Sequence, residues 1–124
     1  MKTLKVLLVE DSSRIAAMLR DLLENETGIH DIQIVADQQS AIVEARQTHY
    51  DLMILDLQLR TGTGFGVLEA LGPQHPPTIV LTNYALPQYR RRAQELGAEY
   101  FLDKSKDLEQ LQSIIQQLQA SHTH

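Results

Sequence analysis

Cysteine is absent from the 124-residue chain, which excludes a disulfide framework, a thiolate metal site and a cysteine nucleophile. That absence suits a reducing compartment. No apolar stretch approaches the roughly 20 residues needed to span a bilayer, so a soluble, cytoplasmic protein is expected. The opening MKTLKVLLVEDSS looks like a secretory leader only briefly, because its apolar run stops at Val9 against two acids, with no small-residue cleavage site. An excess of basic charge is missing as well. Eleven Lys and Arg face 16 Asp and Glu, a formal net charge of −5, which favours neither nucleic acid nor an anionic membrane. A partner protein or a cation suits that balance better. With no internal repeat, low-complexity segment or interdomain linker, a single domain has to carry the function, and 43% hydrophobic content gives it a core.

Short apolar runs of strand length recur at Lys5–Val9, Ile32–Val35, Leu52–Leu55, Thr78–Leu81 and Tyr100–Leu102, rich in Val, Ile and Leu. Runs with so little polar alternation suit parallel strands covered on both faces. Between them, helical spacing groups Ile15, Met18, Leu19 and Leu22; Ala41, Ile42 and Ala45; Tyr89, Ala93 and Leu96; and Leu108, Leu111, Ile115 and Leu118. The third connection, Gly64–Leu71, is short and is broken by Gly72, Pro73, Pro76 and Pro77. Gly28 and Gly97 stand where helices should end, Pro87 suits a first helical turn, and Asp107 with Gln110 suits a cap on the last helix. The pattern predicts five alternating β/α units: a flavodoxin-like, doubly wound five-stranded parallel sheet of order 2-1-3-4-5 with helices on both faces. The domain is expected over residues 1–120, with a short polar tail over 121–124.

Function in such a sheet should lie beyond the carboxyl ends of the strands. There stand Glu10 and Asp11 after the first strand, Asp56 after the third, Thr82 after the fourth and Lys104 just past the fifth. The first and third strands are neighbours in this order, so three carboxylates converge. Left alone, they repel one another and lose hydration, which calls for a divalent cation between them. All-oxygen ligands favour a hard, partly hydrated ion, Mg²⁺. Thr82 and Lys104 offer a hydroxyl donor and a mobile ammonium, both suited to the oxygens of a transferring phosphoryl group, and Asp56 is the natural nucleophile.

From VLLVED (Val6–Asp11) through LMILDLQL (Leu52–Leu59), TGTG (Thr61–Gly64) and VLTN (Val80–Asn83) to GAEYFLDKS (Gly97–Ser105), the chain resembles a receiver domain of two-component response regulators. Any one of these motifs is weak, but five in the right order at strand ends are strong together. The resemblance implies a phosphoryl group accepted on Asp56 from a histidine kinase or phosphotransfer protein. It also implies Mg²⁺ held by Asp11, Asp56 and the backbone carbonyl of Gln58, with Glu10 acting through water. Thr82 would move onto the new phosphoryl group and Phe101 turn inward, with Tyr100 the alternative aromatic. The new charge would then select a second packing of the fourth helix, fifth strand and fifth helix and hand the signal to a downstream protein. The protein would assist its own phosphorylation and slow dephosphorylation without being an enzyme in the usual sense. No output domain is expected, and a homodimer through the fourth and fifth helices is a family-based alternative.

Three residues depart from the family pattern. Ser105 follows Lys104 where proline with a cis bond is usual, Arg60 stands where proline is common, and Asn83 replaces a small residue beside Thr82. Gln58 and Tyr84 flank the site and are expected to tune the lifetime of the acyl phosphate by admitting or blocking water. The run Arg90–Arg92 reads most simply as a solvated helix face and the Leu108 to Leu118 spacing as core. The five histidines are given no role. Among other functions, an aspartyl-nucleophile phosphatase would need a second acid where Gln58 stands. A flavin carrier would meet Glu10 and Asp11 at its phosphate. A receiver-like module that works without phosphorylation is the remaining alternative.

Overall fold

The computed structural model describes residues 4–122, with the backbone alone described for His122. Five strands alternate with five helices: β1 (Lys5–Val9), α1 (Ser13–Glu26), β2 (Asp31–Val35), α2 (Gln38–Gln47), β3 (Leu52–Leu55), α3 (Gly64–Leu71), β4 (Thr78–Thr82), α4 (Pro87–Glu95), β5 (Tyr100–Asp103) and α5 (Leu108–His122). All pairings are parallel and the strand order is β2-β1-β3-β4-β5, the flavodoxin-like arrangement expected from the apolar runs.

Alternate residues of each strand feed two cores. Val6 and Leu8 join Leu52, Ile54, Ile79 and Leu81 beneath α1 and α5. Leu7 and Val9 join Met53, Leu55, Val80 and Phe101 beneath α2, α3 and α4. A strand apolar at every position must be covered twice, and the two layers of helices do this. β2, paired only with β1, is the one strand with no buried residue, and Asp31 and Gln33 are its exposed positions.

The side-chain stripe of α1 differs from the expected one. Ala16, Leu19 and Leu23 are buried, Leu22 is half-buried and Met18 is exposed, so the contact line runs one residue later than the apolar spacing suggests. The small Ala16 lets α1 approach the sheet, and Met18 is rotated out. The α5 stripe is as expected: Leu111 and Ile115 are fully buried and Leu108 and Leu118 pack beside them, which uses the heptad-like spacing for core. α5 also runs on to His122, so the first half of the tail expected over 121–124 is helical; residues 123 and 124 lie outside the described residues.

The strand-to-helix turns on the functional side are fixed by caps. Ser12 accepts a hydrogen bond from the Ile15 amide, Asp37 from Ser40, and Thr63 from Gly66. Each satisfies amide groups that a helix start leaves without partners. Pro87 occupies the first turn of α4, and Gly28 and Gly97 carry φ of 74° and 99° just beyond helix ends, the conformation glycine tolerates best.

Candidate phosphoryl and metal site

Ladder hydrogen bonds continue past the strand ends and hold the acids in place. The Glu10 amide donates to the Val35 carbonyl at 3.0 Å, and the Asp56 amide to the Val9 carbonyl at 3.1 Å. The backbone N–H of Lys104 donates to Thr82 O at 2.9 Å. Each residue one step beyond its strand is thereby tied to a neighbour, and Glu10, Asp56, Thr82 and Lys104 all gather at one end of the sheet.

The chemistry there is dense. Ligand oxygens of Glu10, Asp11 and Asp56 lie within 4.8 Å of one another. The Lys104 ammonium reaches Asp56 Oδ2 at 2.7 Å and also pairs with Glu10 Oε1. The second oxygens are held by backbone: Ser12 N–H donates to Glu10 Oε2 at 3.0 Å and Gln58 N–H to Asp56 Oδ1 at 3.2 Å. Glu10 and Asp56 are 3% and 5% exposed, so these are charges taken largely out of water. Burial pushes the Glu10 carboxyl above its ordinary range, against the downward pull of Lys104 and the Ser12 amide. Burial alone would push Lys104 down, but Asp56 and Glu10 together outweigh it and hold the ammonium above its usual value.

Three carboxylates against one ammonium leave a formal surplus of two negative charges. The donor set is all oxygen, and a cleft of about 180 Å³, lined by Glu10, Asp11, Asp56, Gln58, Asn83 and Lys104 among others, leaves room for water beside it. These residues fit a hard divalent cation.

The remaining predicted residues take distinct places. Thr82 is fully buried, and its hydroxyl accepts from the Tyr84 amide at 3.3 Å. Gln58, Asn83 and Tyr84 are exposed and line the cleft. Phe101 is 6% exposed beneath α4, whereas Tyr100 is half-buried against the opposite core.

Other contacts were not legible in the sequence. Arg60 donates to the Asp11 carbonyl at 3.4 Å, across a separation of 49 residues. Arg90, Arg91 and Arg92 are all exposed, as a solvated helix face requires, but two of them also make contacts that the charge pattern does not reveal. Arg90 lies 4.8 Å from the Phe101 ring centroid and donates to the Phe101 carbonyl at 3.4 Å. Arg92 lies over Phe65 and pairs with Glu69 at 2.5 Å. Arg91 is exposed like its two neighbours and keeps the plain reading of a solvated charge.

A family model described as the response regulator receiver domain matches residues 6–116. The chain belongs to this family. The receiver domain is 33% identical over 117 residues to the transcriptional regulatory protein CiaR of Streptococcus pneumoniae, covering 93% of this chain and 51% of that protein. The chain thus spans about half the length of that curated relative. Among solved structures, the phosphorylated cyanobacterial phytochrome response regulator RcpA superposes with a TM-score of 0.79 at 26% identity, over 94% of this chain and 91% of that one. The receiver domain of sensor histidine kinase PA1611 from Pseudomonas aeruginosa has a magnesium ion coordinated in its active-site cleft. It superposes with a TM-score of 0.81 at 26% identity, over 96% of this receiver domain and 99% of its own chain. The family is a phosphoacceptor switch and not an enzyme in the usual sense. No helix among the described residues is long and apolar enough to cross a membrane.

Proposed function

We propose that this receiver domain accepts a phosphoryl group on Asp56 from the phosphohistidine of a histidine kinase or phosphotransfer protein. It then signals through protein contacts. The observation that carries the reading is the Lys104 ammonium 2.7 Å from a buried Asp56 carboxylate that sits beside two further acids. A carboxylate oxygen of Asp56 attacks phosphorus as the phosphorus–nitrogen bond breaks, the imidazole leaves with the electron pair and takes up a proton, and an aspartyl phosphate remains. Lys104 holds the attacking carboxylate beforehand and follows the charge onto the phosphoryl oxygens. Asp11, Asp56 and the Gln58 carbonyl would hold Mg²⁺, with Glu10 acting through water; the ion supplies neutralisation of the phosphoryl charge. Thr82 would give up its contact with the Tyr84 amide to donate its hydroxyl to the phosphoryl group, which frees the start of the β4–α4 loop. Phe101, already against α4 and under Arg90, is placed to report that movement to the surface. The recipient is a downstream protein, and the acidic balance of the chain agrees with a protein partner and a cytoplasmic setting.

The test is intact-mass measurement after incubation with acetyl phosphate, with and without Mg²⁺. The expected result is a single Mg²⁺-dependent phosphoryl addition, labile as acyl phosphates are, and absent in Asp56→Asn. No addition despite demonstrated Mg²⁺ binding overturns the reading in favour of a module that works without phosphorylation. Decay of the same adduct in Gln58→Ala and Tyr84→Ala tests the two rim residues: a changed lifetime is expected, and an unchanged one removes them from that role.

A further inference from the structure

The segment that carries Lys104 is closed by side chains of its own. Asp103, the last residue of β5, accepts at Oδ1 from both the Ser105 amide (2.7 Å) and the Ser105 hydroxyl (2.6 Å). Its carbonyl accepts from the amides of Lys106 (3.2 Å) and Asp107 (2.8 Å), and its own amide donates to Asp107 Oδ2 at 2.9 Å. The five residues from Asp103 to Asp107 are therefore a ring of hydrogen bonds with Lys104 at its apex. No peptide bond among the described residues is cis, so Lys104–Ser105 is trans and the turn is made by these contacts. A side chain that bonds the backbone two residues on is an ordinary way to fix a turn.

Lys104 is pinned on both sides. Upstream, its amide is held to Thr82 on β4; downstream, its following residue is held by the Asp103 carboxylate. Asp107 has a second commitment: the Gln110 side-chain amide donates to its other oxygen at 3.4 Å, a side-chain pair in place of the cap expected there, and it ties the turn to the start of α5. A lysine has four rotatable bonds, and its ammonium is useful only if its backbone origin does not wander.

We propose that Asp103 and Ser105 are positioning residues for phosphoryl transfer: their paired hydrogen bonds set the backbone from which Lys104 reaches Asp56 and Glu10. This rests on the reading of Asp56 as phosphoacceptor, and it predicts an effect that passes through Lys104 alone. Neither residue touches the acidic cluster. Loss of the turn should slow transfer while leaving the cation-binding carboxylates where they are.

The experiment measures the rate of phosphorylation by acetyl phosphate and the affinity for Mg²⁺ by calorimetry in wild type, Asp103→Ala, Ser105→Ala and Ser105→Thr. Asp103→Ala is expected to slow phosphorylation by about ten- to a hundredfold, approaching the hundredfold scale of an ångström's misplacement of a catalytic group, with Mg²⁺ affinity within about twofold of wild type. Ser105→Ala, which keeps the hydrogen bond from its backbone amide to the Asp103 carboxylate, should fall between, and Ser105→Thr should restore the rate. In a Lys104→Ala background, Asp103→Ala should add no further loss, whereas a turn that matters only for general folding would subtract its full effect again. An additive loss, or a wild-type rate in Asp103→Ala, overturns the proposal. A second readout does not depend on phosphorylation. The Lys104 ammonium, paired in wild type, should give a protected nitrogen-15 resonance that broadens or shifts in Asp103→Ala while the β1 and β3 amides do not. An unchanged resonance also overturns the proposal, and a wild-type protein that takes no phosphoryl group while this resonance responds condemns the phosphoacceptor reading instead.

Discussion

Replacing Lys104 by Met should destabilise the protein, by an amount that depends on pH in a definite direction. The ammonium is 8% exposed and is paired with Glu10 and Asp56 side chains that are 2% and 7% exposed. Removing one partner of a buried pair typically costs about 3–5 kcal/mol, because the charge left behind stays desolvated. Here two features reduce the cost: the cleft is open enough to admit water, and burial already raises the Glu10 pKa, which eases uptake of a proton when the ammonium is gone. We therefore expect a loss of about 2–3 kcal/mol at pH 7.5 in Mg²⁺-free buffer, read as a drop of roughly 1.3–2 M in urea midpoint if the slope is about 1.5 kcal/mol per molar. The sign with pH is fixed. A carboxyl whose folded pKa lies above the unfolded value binds its proton more tightly when folded, so its contribution is most favourable below 4.5 and is lost as pH rises through the folded value. Without Lys104, which pulls Glu10 down, that value climbs further. The deficit of the variant should accordingly shrink between about pH 7.5 and about pH 5.5, and shrink again in millimolar Mg²⁺ at pH 7.5. The assay is urea unfolding followed by far-ultraviolet circular dichroism. A deficit below about 0.5 kcal/mol, the range of ordinary surface substitutions, or one that grows on acidification, would refute the reasoning.

Local geometry sets two further outcomes. A Cβ on Gly64 would sit 2.4 Å from the Asp56 carbonyl oxygen and 3.0 Å from Leu57 Cα, both backbone, so Gly64→Ala should cost about 1–3 kcal/mol in thermal or urea unfolding and also slow phosphorylation by displacing the acceptor strand end. An unchanged midpoint would mean that the loop after β3 yields freely. Tyr50 donates its hydroxyl to Glu44 at 2.5 Å, and burial first, then this carboxylate, pushes its phenol well above 10. A raised pKa means stability that is present below the unfolded value near 10 and lost as pH rises beyond it. Tyr50→Phe should therefore cost about 1 kcal/mol at neutral pH and flatten the alkaline loss above about pH 10, both measured by urea unfolding across pH.

The fold was legible because its signals were redundant. Leu52–Leu55 is apolar at all four positions, as suits a strand covered on both faces, and Gly28, Gly97 and Pro87 stand at helix ends as the apolar periodicity requires. The caps at Ser12, Asp37 and Thr63 came to light only in the structure. The approximate location of the acids was legible for the same reason: once a parallel sheet of known order is granted, the residue after each strand has its place. Anything that depends on rotation or reach stayed hidden. The apolar spacing of α1 points one residue early, since Met18 and Ala16 are three-dimensional alternatives that hydrophobicity ranks the wrong way round. Arg60 on the Asp11 carbonyl and Arg92 on Phe65 join segments far apart in sequence, and a string of basic residues carries no sign of which aromatic ring it will cover.

Arg90 makes one such hidden contact, and it bears on how the site communicates with the surface. Its guanidinium lies over the Phe101 ring and its Nη1 donates to the Phe101 carbonyl, so ring and backbone of one β5 residue are held by one side chain of α4. On the other side of the same short strand, Lys104 is bound to Thr82 by its amide and to Asp56 by its ammonium. An exposed cation over an aromatic face, as Arg90 is, contributes about 0.5–1 kcal/mol, the size of energy that biases two packings without freezing either. The buried acids and the exposed surface of α4 are therefore joined through four consecutive residues, Phe101 to Lys104, with a charged contact at each end. On the proposed reading, a change of charge at Asp56 would act on Lys104 first, and β5, short and paired along Ile79 to Thr82, would pass it on more readily than absorb it by bending. The movement is then expected where the strand is held from outside, at Arg90 and the helix that carries it.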